Sequence, residues 1–373
     1  MATRIDELLK KLDVNLYDQL DKYTGEGKKV IGICPPYAPE ELIYAAGMIP
    51  MTVWGEEGEV TDAKAYFPAF YTSIILRTLD LGLQGKLDKM SGMVVGALSD
   101  TLKGMSQNWK KGVKNVPMLY IGYGQNRKIK AGLDYNEIQY LRLKQQLEFI
   151  SGEGIKERDI ETAIVLYNKH RKAMKKFNDL AAKHLNTITP SIRSRVISAG
   201  DVMDKAEHLE IVEALNEELE VMPEEEFDGK KVVTTGLLAD SKDLLGILEK
   251  HKIAIVDDNV CQESGQYDYL VDEESGNPIR ALAKWISDIE GCPVLYDPKK
   301  LRGSIIIDKV NKQGADGVLY LMTKFSDSDE FDYPIIKKQL EEAGITHTYI
   351  EIDQQMNNFE QANTALQTFA DIL

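Results

Sequence analysis

The segment VVTTGLLADSKDLLGILEKHKIAIV, residues 232–256, decides the fold class. Its two ends, Val232 to Leu237 and Ile253 to Val256, are short β-branched runs that predict buried strands. Between them, Asp240 and Ser241 can cap a helix whose leucines fall on one face. A strand, a helix and a second strand in this order predict a parallel pair joined by a crossover helix.

The same alternation continues to the end of the chain and predicts a doubly wound domain over residues 229–373. Pro334 is expected in the first turn of a helix that ends at Ala343. Further helices are predicted at Ile279 to Ile289 and Asn358 to Ile372, and further strands at Val294 to Tyr296, Gly317 to Met322 and His347 to Ile352. The run from Ser304 to Val310 fits a helix or a strand.

Residues 28–130 show the alternation less cleanly and predict another α/β domain. Its strands are predicted at Val30 to Cys34, Met51 to Trp54, Gly92 to Gly96 and Met118 to Tyr123, and its helices at Pro39 to Ala46, Tyr71 to Leu81 and Asp100 to Trp109. Residues 1–27 and 131–228 predict helical segments, the second with helices at Glu137 to Ile150, Glu157 to His184 and Asp204 to Leu219. The sequence therefore predicts an α/β protein with two doubly wound parallel-sheet domains and an intervening helical segment.

Charge and composition exclude several classes of partner. The 373 residues carry 45 basic and 60 acidic side chains, a formal net charge of -15, without a strong local cluster of Lys and Arg. Nucleic acid and anionic membrane are therefore not expected as partners. No apolar run is long enough to span a bilayer, and the N-terminus lacks the apolar region of a secretion signal. We expect a cytoplasmic chain.

Common catalytic and binding motifs are missing from the sequence. Neither GxGxxG nor GxxxxGK[ST] follows a predicted strand, and the five histidines are scattered, so they predict structural or solvated side chains. Three cysteines without CxxC spacing signal neither a disulfide framework nor a zinc site. Cys34 and Cys261 follow strands, whereas Cys292 precedes one and is expected at the opposite edge of its sheet. Buried packing is the simplest role for all three.

In open parallel sheets ligands bind beyond the carboxyl ends of the strands. Glu40 lies a few residues after the first strand, where it can serve as an acid or base or simply stabilise a helix N-terminus. Asp257 and Asp258 are expected to follow a strand of the second domain, either lining a pocket or capping a turn.

A set of strings recurs in a fixed order along the whole chain. They are GMIPMTVWG, AYFPAFYTSI, LSDTLKGMSQNWK, GQNRK, DDNVCQESGQ, YDPKKLRGS, MTKFSDSDEFDYP and the terminal IDQQMNNFEQANTALQTFADIL. Together they resemble the β-type subunit of the (R)-2-hydroxyacyl-CoA dehydratases, which are related to benzoyl-CoA reductase subunits. The resemblance implies two α/β lobes with a helical part, and a heterodimer with an α-type subunit.

The resemblance also implies a reaction. In that family an ATP-dependent iron-sulfur activator protein supplies one electron, the acyl-CoA substrate becomes a ketyl radical, and 2-enoyl-CoA forms after loss of hydroxide and a proton. A [4Fe-4S] cluster lies between the lobes on cysteine thiolates. In typical β subunits three cysteines hold this cluster. At the matching positions this chain has Thr72, Ser99 and Ser326. Hydroxyls are poor ligands for iron-sulfur clusters, so we expect no cluster in this chain and a [4Fe-4S] centre in its α-type partner.

Strand-end placement and the family motifs suggest the remaining site residues. Glu40 and Glu263 are the candidate catalytic residues, and Tyr37, Asp100, Gln107 and Asn108 are candidate pocket residues, with capping or packing as the alternative for each. Gly265 and Asn363 stand where relatives often have arginines, which weakens the recognition of anions. Arg127 and Lys128 are left as candidate anion contacts or as solvated surface.

Two other functions stay open at this point. The chain fits a catalytically degenerate paralogue that acts as a binding or regulatory module, and it also fits a benzoyl-CoA-reductase-like subunit.

Overall fold

The first lobe contains a four-stranded parallel sheet. The structure, a computed structural model, describes residues 3–373. The strands are β1 (Val30–Cys34), β2 (Ile49–Thr52), β3 (Gly92–Ala97) and β4 (Met118–Gly122). They lie in the order β2-β1-β3-β4, and each neighbouring pair is parallel. All residues of β1, β2 and β3 are buried, as expected for a parallel sheet covered on both faces.

The second lobe repeats this topology. Its strands are β5 (Lys230–Gly236), β6 (Ile253–Val260), β7 (Gly317–Thr323) and β8 (Thr346–Ile352). Their order is β6-β5-β7-β8, again with parallel neighbours. In each lobe the strand order therefore reverses between the first and third strands, which places a topological switch point there. The predicted fold class, with two parallel-sheet lobes, is confirmed.

Helices surround and connect the two sheets. They are α1 (Arg4–Lys11), α2 (Leu16–Gly25), α3 (Glu40–Ala45), α4 (Ser73–Leu83), α5 (Asp100–Gly112), α6 (Lys130–Ser151), α7 (Glu157–Ala181), α8 (Pro190–Val202), α9 (Lys205–Val221), α10 (Lys242–Lys250), α11 (Pro278–Asp288), α12 (Arg302–Gln313), α13 (Asp327–Glu342) and α14 (Glu360–Ile372). Helices α6 to α9 follow the first sheet and precede the second in the sequence. They form a helical layer whose core includes Phe177, Val212 and Leu215. Among residues 3–373, every helix is too short or too polar to cross a membrane.

Two elements differ from the sequence prediction, and a third run, which the prediction left open, is a helix. Val294 to Tyr296 is a loop, because Pro293 and Pro298 flank it and proline lacks the amide that a strand ladder requires. The run from Ser304 to Val310, which fitted either a helix or a strand, lies within helix α12. Helix α13 begins at Asp327, so Pro334 lies inside it rather than in its first turn; Asp327, Asp329 and Glu330 favour the earlier start through the helix dipole.

Two further differences concern β6 and α8. Strand β6 continues through Asp257 and Asp258, which were expected to follow it, and a register shift opposite Val232 and Val233 accommodates the extra residue. Helix α8 was not predicted, although Thr189 caps it and Pro190 occupies its first turn, a readable start signal. The proposed domain boundaries after residues 27, 130 and 228 stay predictions.

Buried side chains join the two lobes. The guanidinium of Arg127, at the end of the first lobe, donates to the carbonyls of Ile286, Ile289 and Tyr296 in the second. From the second lobe, Gln354 Nε2 donates to the Trp54 carbonyl at 2.8 Å. The two roles predicted for Arg127, an anion contact or a solvated surface residue, are therefore wrong, because its side chain is buried and donates to three carbonyls.

Another arginine fastens the helical layer to the second lobe. Arg193 of α8 is buried and forms ion pairs with Asp258 of β6 and with Glu263 Oε2, the latter at 2.5 Å. Although burial opposes ionisation, the charges of Arg193 and Lys309 hold the pKa of Asp258 below its usual value. Two carboxylates in the interior thus depend on one guanidinium.

We expect Arg193→Ala to lower the free energy of unfolding by about 3–5 kcal/mol, because two buried carboxylates lose their compensating charge. Denaturant unfolding followed by circular dichroism measures the change. Lys312→Ala is the matched control: Lys312 Nζ lies 2.8 Å from Asp179 Oδ1 and also joins the second lobe to α7, but both side chains are exposed. Its expected cost is less than about 1 kcal/mol. Equal costs for the two variants would contradict this account of Arg193.

Candidate functional site

A cleft between the lobes contains the largest described cavity, of about 290 Å³. Its walls include the loops that follow β1 and β3 in the first lobe and β5 and β7 in the second, together with residues that follow β2 and β4. Strands β1, β3, β5 and β7 flank the two switch points, so the carboxyl ends of both sheets open into one space. We call this space the interlobe cavity. Its polar and aromatic wall includes Trp54, Thr72, Ser99, Asp100, Lys103, Gln125 and Ser326.

The structure brings Thr72, Ser99 and Ser326 together at this cavity. Each residue is the N-cap of a helix, namely α4, α5 and α13. Ser99 Oγ accepts a hydrogen bond from the Leu102 amide at 3.2 Å. Within residues 3–373 the hydroxyls of Thr72 and Ser326 form no hydrogen bond, and neither caps its helix through the side chain.

The donor set at the three N-caps does not fit an iron-sulfur cluster. Such clusters are held by soft thiolate sulfur, and the three positions offer neutral hydroxyl oxygen, one of which is engaged by a backbone amide. The cavity position matches the place that the resemblance gives to a cluster, but the ligand chemistry does not.

The three pocket candidates on α5 separate into two groups. Asp100 lines the interlobe cavity, and its exposed carboxylate pairs with Lys103 Nζ at 3.0 Å. Gln107 and Asn108 lie further along α5 and are not part of that wall. Gln107 is exposed, and Asn108 Nδ2 donates to the Tyr66 carbonyl at 3.0 Å, which connects α5 to the loop before α4.

Tyr37 lies behind the cavity and contacts two cysteines. Its hydroxyl is 3.2 Å from Cys292 Sγ and 3.9 Å from Cys261 Sγ. The prediction that Cys292 belongs to the opposite edge of the sheet is therefore wrong, because the assumed strand at residues 294–296 is a loop that returns to the cleft. The hydrogen bond with Cys292 and burial both raise the pKa of the Cys261 thiol. Burial also raises the pKa of Cys34 to about 12.

Glu40 lines a second, smaller cavity of about 40 Å³. Its Oε2 is 3.0 Å from Lys205 Nζ of α9, and Tyr167 and His170 share the same wall. Pro36 and Trp54 line both cavities, so these two residues lie between Glu40 and the interlobe cavity. The geometry places Glu40 near the cleft without opening it to the cleft.

Glu263 occupies a different environment. It is buried against Arg193, and burial raises its pKa to about 7 although the arginine charge opposes that change. This arrangement favours a structural role, in which Glu263 anchors α8. The catalytic assignments of Glu40 and Glu263 stay predictions.

Sequence reasoning missed a buried polar group beside Glu40. His208 Nε2 donates to the Val196 carbonyl at 2.9 Å, which leaves Nδ1 to accept from His170 Nε2 at 2.7 Å. Burial lowers the pKa of His208 to about 3, so the pair is neutral. Asp201 is close to Lys205, and burial raises its pKa to about 8. Helical spacing alone gave no signal for this group, because its members come from α7, α8 and α9.

Fold and cleft together define a two-lobed, doubly wound α/β protein with a ligand cavity between the lobes. Comparison with known proteins gives the family. The family described as "2-hydroxyglutaryl-CoA dehydratase, D-component" matches residues 35–373. The chain therefore belongs to the 2-hydroxyglutaryl-CoA dehydratase D-component family.

Three curated relatives align over nearly their whole length. The (R)-phenyllactyl-CoA dehydratase beta subunit of Clostridium sporogenes is 46% identical, with 93% of this chain and 92% of the relative covered. The (R)-2-hydroxyglutaryl-CoA dehydratase subunit beta of Acidaminococcus fermentans is 38% identical, with 98% of each chain covered. The lactoyl-CoA dehydratase subunit beta of Anaerotignum propionicum is 37% identical, with 98% and 97% covered.

We expect Asp201→Asn to change how stability depends on pH. The pKa of Asp201 is raised from 3.8 to about 8, so the folded protein keeps a proton that the unfolded chain releases. This contribution to stability is full below the unfolded pKa and is lost as pH rises towards the folded pKa. Asparagine does not titrate, so between about pH 5 and about pH 8 the variant should gain at least about 1 kcal/mol relative to the wild type.

Chemical denaturation at a series of pH values measures this difference. The control is Asp243→Asn, which changes the net charge equally at an exposed position on α10. A constant difference between Asp201→Asn and the wild type across the pH range would show that the carboxyl is ionised when folded.

Proposed function

We propose that this chain is the β-type subunit of a heterodimeric (R)-2-hydroxyacyl-CoA dehydratase, that it holds no iron-sulfur cluster, and that it supports an α-type subunit that does. As a subunit of that complex it belongs to a lyase that converts 2-hydroxyacyl-CoA to 2-enoyl-CoA. Family membership and three relatives named as beta subunits support the subunit role. The observation that carries the clusterless part is the meeting of Thr72, Ser99 and Ser326 in one cavity.

The role of the chain in the complex follows from this donor set. Cluster chemistry, electron entry from an ATP-dependent activator and binding of the thioester carbonyl are assigned to the α-type partner. This chain contributes a surface that closes the shared active site and excludes water, which limits side reactions of a radical intermediate. Its buried arginine contacts keep the lobes and the helical layer in a fixed arrangement for that purpose.

One observation favours the regulatory alternative. Gly265 stands where relatives often have an arginine, and a Cβ at this position would lie 3.0 Å from the Val260 carbonyl oxygen. The backbone is thus packed closely where a long cationic side chain was expected. Turnover by the α-type partner and the activator, measured with and without this chain, separates the two functions. A dehydratase subunit is required for turnover, whereas a regulatory module only modulates it. The dehydratase names of the relatives favour dehydration over a benzoyl-CoA-reductase-like reaction.

The first test is anaerobic iron and acid-labile sulfide analysis of the chain alone and in complex with its α-type partner. We expect no stoichiometric iron on the chain alone, and about four irons per heterodimer, the content of one [4Fe-4S] cluster. About four irons on the isolated wild-type chain would contradict the proposal.

A gain-of-ligand variant tests the same geometry. We expect Thr72→Cys/Ser99→Cys/Ser326→Cys to take up about four irons per chain on anaerobic reconstitution, because three thiolates would then converge on one cavity. The matched control is Thr72→Cys/Ser99→Cys/Ser241→Cys. It adds the same number of cysteines, but Ser241 caps α10 and lines a different pocket. Absorbance near the thiolate-to-iron charge-transfer bands provides the readout. Equal iron uptake by the two variants would show that the three N-caps do not form a joint site.

A further inference from the structure

The interlobe cavity has a wall that is rich in hydrogen-bond donors. We propose that it is a binding site for one small oxyanion, of the phosphate or carboxylate type. The inference rests on the proposed function in one respect, since it requires that no cluster fills the cavity. The inference assigns a class of ligand to the interlobe cavity, to which the proposed function assigns no ligand.

Three helix N-termini meet at the cavity. Helices α4, α5 and α13 have 11, 13 and 16 residues and begin there at Ser73, Asp100 and Asp327. Each N-terminus carries a partial positive charge from the helix dipole, and together they favour an anion over a neutral or cationic ligand.

The first-turn amides of these helices remain available. Within residues 3–373, the amides of six residues donate to no backbone or side-chain acceptor. These are Ser73 and Ile74 of α4, Asp100 and Thr101 of α5, and Asp327 and Ser328 of α13. All but Ser73 line the cavity. An oxyanion could accept from several of them, whereas a ligand that offers only donors could not.

Side chains give an independent indication of a ligand. Thr72 and Ser326 are 8% and 6% exposed, line the cavity, and have hydroxyls without a hydrogen-bond partner among the described residues. Trp54 is 7% exposed and lines the same wall, and within the described chain its Nε1 has no acceptor. A buried donor without a partner, such as Trp54 Nε1, is unfavourable, and together with the two unpaired hydroxyls on the same wall it indicates a missing acceptor.

Two carboxylates at the cavity determine the size of anion that fits. Asp100 and Asp327 are exposed, and Asp100 is paired with Lys103, which also lines the cavity. Solvent screens these charges, whereas the indole N–H of Trp54 is buried and the two hydroxyls belong to buried residues. An anionic group small enough to reach the inner wall, either as a free ion or at the end of a larger ligand, avoids the two carboxylates.

The test is isothermal titration calorimetry of the full chain with inorganic phosphate, and separately with acetate, on protein whose iron content has been measured. We expect saturable binding of at least one of the two ions. The variant Thr72→Val/Ser326→Ala should weaken that binding by about tenfold or more, because each hydroxyl donates to a charged acceptor. The matched control, Ser241→Ala, removes an N-cap hydroxyl of α10 outside this cavity and should leave binding unchanged.

Thermal unfolding of both variants checks that they fold as the wild type does. No saturable binding of either ion to iron-free wild-type protein would overturn the inference and leave the clusterless subunit role intact. Binding that is equally strong in the double variant would also overturn it. Stoichiometric iron on the chain would instead contradict the proposed function. Competition with coenzyme A then distinguishes the source: displacement of bound phosphate supports a phosphate group of the cofactor as the natural ligand, and no displacement supports a free ion.

Discussion

The arrangement of this protein depends on one constraint, that the carboxyl ends of two parallel sheets face each other. Parallel strands place all their following loops at one edge, and both sheets have the same strand order. Once the edges are opposed, the loops after the strands of both sheets must share a single cleft. Arg127 and Gln354 hold this arrangement from opposite sides through buried bonds to backbone carbonyls. Backbone acceptors make these contacts independent of the side chains that line the cleft.

Much of the fold could be predicted because its signals are local. The strands of the second lobe are β-branched runs, and the helices between them have leucines on one face, as in Leu244, Leu245 and Leu248. Where tertiary contacts decide, the prediction was either left open or wrong. The triple isoleucine of α12 suits either element, and Asp257 and Asp258 look like a strand end until Arg193 and Lys309 are seen to neutralise them inside β6.

The site was predictable to a smaller extent. Family motifs identified Thr72, Ser99 and Ser326, and the structure places all three on one cavity. Gln107 is not part of the wall of the interlobe cavity, because its direction on α5 depends on helix rotation, which a motif does not encode. The contact of Tyr37 with Cys261 and Cys292 joins three loops distant in sequence, and no local pattern signals it. The same holds for His170 and His208.

The N-cap positions of the three cavity residues have an evolutionary consequence. Ser99 caps α5 through its side chain, whereas Thr72 and Ser326 form no side-chain cap on α4 and α13. Exchanging a cysteine for a hydroxyl residue therefore adds a cap bond at α5 and costs none at the other two helices. A lineage could therefore give up its metal ligands one codon at a time while the scaffold persists. Restoring them is harder, since an incomplete ligand set brings no benefit until all three are present. In such a fold, metal binding is therefore lost more easily than it is regained.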